Sequence, residues 1–175
     1  MEALKKGAIG LLILAVLFVI IGLSLPKETI VKRSIIINAP LDVVFKNVNN
    51  LKNHEKWDPW QATDKTMKIT YGAVTEGTGA SYSWTSESGE GTHTITESMT
   101  NKSIKVELDF KKQRTMRGWW TFTGKDKGVL ATEGFVNKSG KCFCSRYINL
   151  FIDAEIGKYF SKGLKKLKEV SEQAK

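Results

Sequence analysis

Residues 34–60 read SIIINAPLDVVFKNVNNLKNHEKWDPW, a stretch in which the hydrophobic period changes from that of a strand to that of a helix. The run ETIVKRSIIIN from Glu28 to Asn38 is rich in β-branched residues, which suit a pleated surface, and predicts a strand. Ala39-Pro40 then opens a helix. Asn38 or Ala39 falls near the cap and Pro40 in the first turn, where its missing N–H leaves no bond unmade. Val44, Val48 and Leu51 recur at helical spacing. The pattern breaks near Asn49-Asn50, a short second turn covers LKNHEKW, and Trp57-Asp58-Pro59-Trp60 ends the unit.

Downstream the period falls to two. Met67–Tyr71 is a short strand. Ala80, Tyr82 and Trp84 alternate with Ser81, Ser83 and Thr85, and His93, Ile95 and Met99 share one face. Ile104, Val106, Leu108 and Phe110 make the cleanest alternation. Met116, Gly118, Trp120 and Phe122 follow, then Val129, Ala131, Glu133 and Phe135. Gly, Asn, Asp and Ser occupy the breaks, so the segments predict consecutive antiparallel hairpins with one dry face. The chain closes with a long amphipathic helix whose stripe is Ile152, Ile156, Tyr159, Phe160, Leu164, Leu167 and Val170, with lysines mostly opposite. That stripe needs burial, and the dry face of the sheet is its partner. The expected class is α+β.

Upstream, GAIGLLILAVLFVIIGLSL from Gly7 to Leu25 runs nineteen residues without a charge. At 1.5 Å per residue this covers most of a bilayer's hydrocarbon core. A cleaved signal peptide is the rival reading, since Gly22-Leu23-Ser24 offers small residues for a cut, but the run exceeds the usual apolar region of such peptides. A retained anchor over residues 1–26, with the domain over 27–175, is the expected organisation. Lys5 and Lys6 before the span balance Lys27, Lys32 and Arg33 after it, so the positive-inside rule gives no clear orientation; the short leading tail favours an extracytoplasmic domain.

The net charge is +9; Lys5 and Lys6 against Glu2 give the first 25 residues +1, which leaves +8 for the rest. Such a domain suits an anionic surface, the membrane being the nearest. No nucleic-acid-binding signature accompanies the charge, so nucleic acid is not an expected partner. Cys142 and Cys144, two apart in what reads as an extended segment, have poor geometry for a disulfide and read as small apolar residues in a packed segment. With His54 and His93 they match no zinc spacing, and no metal or cofactor is expected.

The order of elements, with Asn38-Ala39-Pro40, Val43-Val44-Phe45 and Trp57-Asp58-Pro59-Trp60, resembles the START-like (SRPBCC) superfamily, often labelled polyketide cyclase/dehydrase-like. MKITYG, GASYSW, EGTHTITES and INLFID followed by GKYFSKGLKKLKEV resemble a bacterial membrane-anchored subgroup. The likeness covers about residues 28–172. It implies a helix-grip fold, in which an antiparallel sheet curls around the C-terminal helix and encloses an apolar cavity. It further implies a hydrophobic small molecule or lipid as ligand. Members also include cyclases or dehydrases and co-chaperones, and no catalytic motif is shared among them, so none is carried over. Two features depart from the subgroup's pattern: Glu133, where a large apolar residue is expected, and Cys142-Phe143-Cys144, in place of a more proline-like segment.

Within that architecture Tyr82, Trp84, Phe110, Trp120 and Phe122 fall on the inward alternation and are expected to line the cavity. His93 and Glu133 fall on the same side. A desolvated carboxyl there is raised in pKa and serves as a general acid or grips a polar group, whereas a carboxyl at the rim does neither. A lone inward histidine either orients a ligand or is a hydrogen-bonded core residue. Three functions stay open: a monomeric membrane-tethered binding module, an enzyme using Glu133 and His93, and a protein-interaction module.

Overall fold

The computed structural model describes residues 2–111, 114–140 and 142–173. The apolar helix α1 (Glu2–Ser24) leads into β1 (Glu28–Ile37), α2 (Leu41–Asn49), a 3-10 turn over Leu51–Lys56 and α3 (Pro59–Thr63). Six strands follow: β2 (Lys68–Tyr71), β3 (Ser81–Ser86), β4 (Gly89–Met99), β5 (Ser103–Phe110), β6 (Arg114–Lys125) and β7 (Gly128–Lys138). Helix α4 (Ser145–Gln173) ends the chain. The seven strands form one antiparallel sheet in the order β1-β7-β6-β5-β4-β3-β2. Strand β1 leaves its sequence neighbours and pairs with β7, from Glu28↔Lys138 to Ile37↔Val129, which brings residues from the two ends of the domain side by side.

The alternation seen in the sequence is the burial pattern of the sheet. Ile104 and Val106 on β5, Trp120 and Phe122 on β6, and Val129 and Ala131 on β7 are buried on one face. Leu164 and Leu167 of α4 close over them with Val44, Phe45 and Val48 of α2. Each fully buried leucine contributes about 1.5–3 kcal/mol relative to exposure. A second, smaller cluster joins Val31, Phe135, Ile152 and Phe160 nearer the start of α4. Between them on the inner face of β1 and β7 lie Arg33 and Glu133, directly opposite each other in the register.

Three expectations are corrected. Helix α2 starts at Leu41, with Pro40 at its cap position and no side chain of Asn38 or Ala39 capping it, because Pro40 is still extended (ψ 145°). Met99 does not share the face of His93 and Ile95: a β-bulge between Ile95 and Glu97 shifts the register, and Met99 is exposed while Ser98 turns inward to Asn49. Cys142 and Cys144 are joined in a disulfide and are exposed. The poor geometry expected of them assumed an extended chain. The segment is instead a turn entering α4, which brings the two Cα atoms to 5.3 Å.

Candidate ligand-binding site

Strands β3 to β7 deliver the inward side chains to one interior. Tyr82, Trp84, His93, Trp120 and Phe122 are buried, and Phe110 is half-buried against Trp84 (ring centroids 5.4 Å apart). The rings pack on one another. His93 meets Tyr82 at 5.0 Å, Phe122 meets Phe45 of α2 at 5.5 Å edge-on, and Trp120 and Phe122 lie parallel at 6.3 Å. The elements between α2 and β2 cap this aromatic surface. Trp57 is anchored by its Nε1, which donates to the Asn47 carbonyl at 3.0 Å, and meets Trp120 edge-on at 5.5 Å.

A line of ionisable groups crosses the same interior. His54, on the 3-10 turn, is buried with Nε2 donating to the Val48 carbonyl at 2.8 Å, and its ring lies 4.6 Å from Trp57 and 5.7 Å from His93. Burial lowers His54 to about 4 and His93 to about 3, and for His93 the neighbouring His54 acts in the same direction. Both are neutral imidazoles at physiological pH. His93 Nδ1 is buried without a hydrogen-bond partner among the described residues. Buried polar atoms in native proteins are nearly always paired, so this nitrogen marks a place where a polar group would be accepted.

Asp58 caps α3, accepting from the Trp60 N–H at 2.9 Å and from Gln61 Nε2 at 3.4 Å. Desolvation nevertheless pushes its carboxyl up to about 6, because these bonds offset only part of the lost hydration. Glu133, half-buried between the two core clusters, is raised well above the usual carboxylate range, first by desolvation and then by the charge of Asp58. Its carboxyl makes no hydrogen bond or ion pair among the described residues. The guanidinium opposite is engaged elsewhere: Arg33 holds Asp153 of α4 with Nη1–Oδ1 at 2.9 Å and Nη2–Oδ2 at 3.1 Å. Gly157 makes that possible, since a Cβ there would collide with the Arg33 guanidinium. Tyr82 is buried near Asp58, and desolvation and that charge both keep its phenol protonated. The interior therefore presents aromatic surface with polar handles, among which the two imidazoles and the Tyr82 phenol are neutral.

Of the residues expected from sequence, His93, Tyr82, Trp84, Trp120 and Phe122 come together, Phe110 joins them through Trp84, and Glu133 sits beside Trp120 across the β6–β7 pair. Periodicity did not mark His54 and Asp58 as buried groups, nor Arg33 as the partner of α4. Asp58 and His54 precede and follow no regular alternation, so no period assigns them a face. Arg33 could have been found, because it shares the parity of Val31 and Ile35. The best-formed concavities among the described residues lie elsewhere. One is an open groove of about 430 Å³ beside α4, lined by Arg33, Gly157, Ser161, Lys158, Lys162 and Lys165.

No protein-family profile matches the chain, and no curated protein matches it in sequence. Solved structures do match. A Staphylococcus aureus protein of unknown function superposes with a TM-score of 0.65 at 11% identity, over 84% of this chain and 95% of that one. The Aha1 protein of Colwellia psychrerythraea gives 0.59 at 12% identity, over 82% and 96%. The fold is the helix-grip fold. The di-domain aromatase/cyclase StfQ of the steffimycin biosynthetic pathway shares it too (TM-score 0.60, 10% identity), this chain covering 84% of its own length and about half, 51%, of StfQ. At these identities the likeness concerns the fold alone.

Proposed function

We propose that the chain is a binding module, held at a membrane by α1, whose domain takes a hydrophobic small molecule or lipid between α4 and the aromatic face of the sheet. The observation that carries this reading is the orphaned Nδ1 of His93 on a surface otherwise made of Tyr82, Trp84, Trp120 and Phe122. A ligand with an apolar body and one hydroxyl or carbonyl would satisfy it. The rings are in contact in this structure, so uptake requires them and α4 to part. The 21 residues Leu4–Ser24 are long and apolar enough to span a bilayer and are almost entirely unburied, which supports the anchor. The disulfide supports an extracytoplasmic domain, because such bonds persist in oxidising compartments.

Calorimetric titration of the full-length protein in detergent with a sterol and with a fused-ring phenol tests the reading. Saturable binding is expected, weakened about tenfold in His93→Phe, the equivalent of about 1.4 kcal/mol for one buried hydrogen bond. Absence of binding by either probe, or equal affinity in the variant, contradicts it. One observation favours a second reading, an enzyme of the cyclase or dehydrase type: desolvation and then the charge of Asp58 raise the Glu133 carboxyl well above the usual range, which favours the protonated form that can donate. Under that reading Glu133→Gln keeps ligand affinity and loses turnover.

A further inference from the structure

The first two turns of α4 carry an apolar face that the protein leaves uncovered. Ile148, Leu150 and Phe151 are 63%, 54% and 68% exposed. Side chains just before them grip α1. Tyr147 stacks on Phe18 with ring centroids 4.6 Å apart, and its hydroxyl donates to the Phe18 carbonyl. Phe143 meets Phe18 edge-on at 5.9 Å. Gly22 lets both rings approach, since a Cβ there would lie 2.6 Å from Phe143 and 2.9 Å from Tyr147. Arg146 Nη1 donates to the carbonyls of Leu23 at 2.6 Å and Leu25 at 3.3 Å, at the C-terminal end of α1, where a cation also complements the helix dipole. Asn149 Nδ2 reaches the Pro26 carbonyl at 3.3 Å.

These contacts set depth. With a rise of 1.5 Å per residue, Phe18 lies about 9 Å inside the C-terminal end of α1. Whatever surrounds α1 from Phe18 to Leu23 also surrounds the start of α4. The segment is chemically suited to lipid. From Cys142 to Ile152 its one charged residue is Arg146, already spent on α1. A helix start ordinarily exposes N–H groups that hydrocarbon cannot satisfy. Here Ser145, Arg146 and Tyr147 donate theirs to the carbonyls of Cys142, Phe143 and Cys144. Ser145 Oγ donates to the Cys142 carbonyl at 2.7 Å, and the disulfide leaves no free thiol.

We propose that the start of α4, from Phe143 to Phe151, is seated in the headgroup–acyl boundary of the bilayer beside α1, with Ile148, Leu150 and Phe151 facing lipid. The proposal rests on reading α1 as a membrane span. The domain then has no free tether: the helix that closes over the sheet is fixed to the membrane at one end.

Spin-label accessibility tests this on the full-length protein in vesicles of phosphatidylcholine and phosphatidylglycerol. With Cys142–Cys144 kept oxidised, label reacts at a single introduced cysteine in Ile148→Cys, Phe151→Cys, Lys158→Cys or Leu14→Cys. All four side chains are largely exposed, so the substitutions leave the core intact. At Leu14, Ile148 and Phe151 collision with dissolved oxygen, which concentrates in hydrocarbon, is expected to exceed collision with a water-soluble nickel chelate. The ratio is expected to reverse at Lys158. If Ile148 and Phe151 behave like Lys158 while Leu14 stays in hydrocarbon, the seating is wrong and the anchor stands. If Leu14 also lies in water, the anchor reading fails and this proposal falls with it.

Discussion

His93 and Glu133 share one interior face yet respond to burial in opposite senses, because desolvation penalises the charged form of each. The consequences for stability follow in sign. His54 and His93 are lowered to about 4 and about 3, so their neutral forms favour folding above pH 6.5 and the contribution is lost as pH falls from there. Asp58, raised to about 6, and Glu133, raised well above the usual carboxylate range, favour the fold while protonated; that contribution is lost as pH rises above the unfolded values near 4. Between about pH 4.5 and 6 the two pairs oppose each other. Above pH 6.5 the histidines are neutral in both states, and the remaining pH dependence comes from the raised carboxyls. These raised carboxyls are expected to lower the melting temperature of the wild type as pH rises, and Glu133→Gln to reduce that fall. His93→Phe is expected to be the more stable variant at pH 5, by up to about 1.4 kcal/mol for each pH unit over which its titration is removed. Melting curves at pH 5, 7 and 9 check both. An unchanged pH profile in Glu133→Gln would mean that its carboxyl is hydrated.

At the scale of elements, strand β4 shows how local sequence controls close packing. Gly91 stands opposite Trp84 in the β3–β4 register, and a Cβ on it would meet the Trp84 ring and lie 2.5 Å from the Asp109 carbonyl oxygen. Backbone cannot step aside as a flexible side chain can. Gly91→Ala is expected to lower stability by about 2 kcal/mol and to shift tryptophan emission, as Trp84 leaves its place against Phe110. Equal melting and emission would contradict the packing account. The strands themselves were legible in the sequence: β5 to β7 alternate because one face is dry, and α4 repeats its stripe because it lies on that face. The bulge at Ile95–Glu97 was not, since Met99 continues the parity of His93 and Ile95 and only pairing with β5 reveals the slip. The disulfide was hidden for a related reason. A two-residue spacing has one meaning in a strand and another in a turn, and composition does not distinguish them.

At the scale of the molecule, the return of β1 to pair with β7 decides which residues share an interior. It places Arg33 opposite Glu133 and splits the core into two apolar clusters with a polar layer between them. Glu133 was legible as an inward carboxylate from its place between Ala131 and Phe135. Its company was not, because Asp58 arrives from a five-residue helix and His54 from a 3-10 turn, elements too short for a period. Native mass spectrometry of the full-length protein, released gently from its membrane, tests the central claim most directly. The account predicts one apolar adduct per wild-type chain, retained when loosely held lipids are stripped by collision and lost in His93→Phe. A bare chain that also refuses an added sterol and an added fused-ring phenol would contradict it.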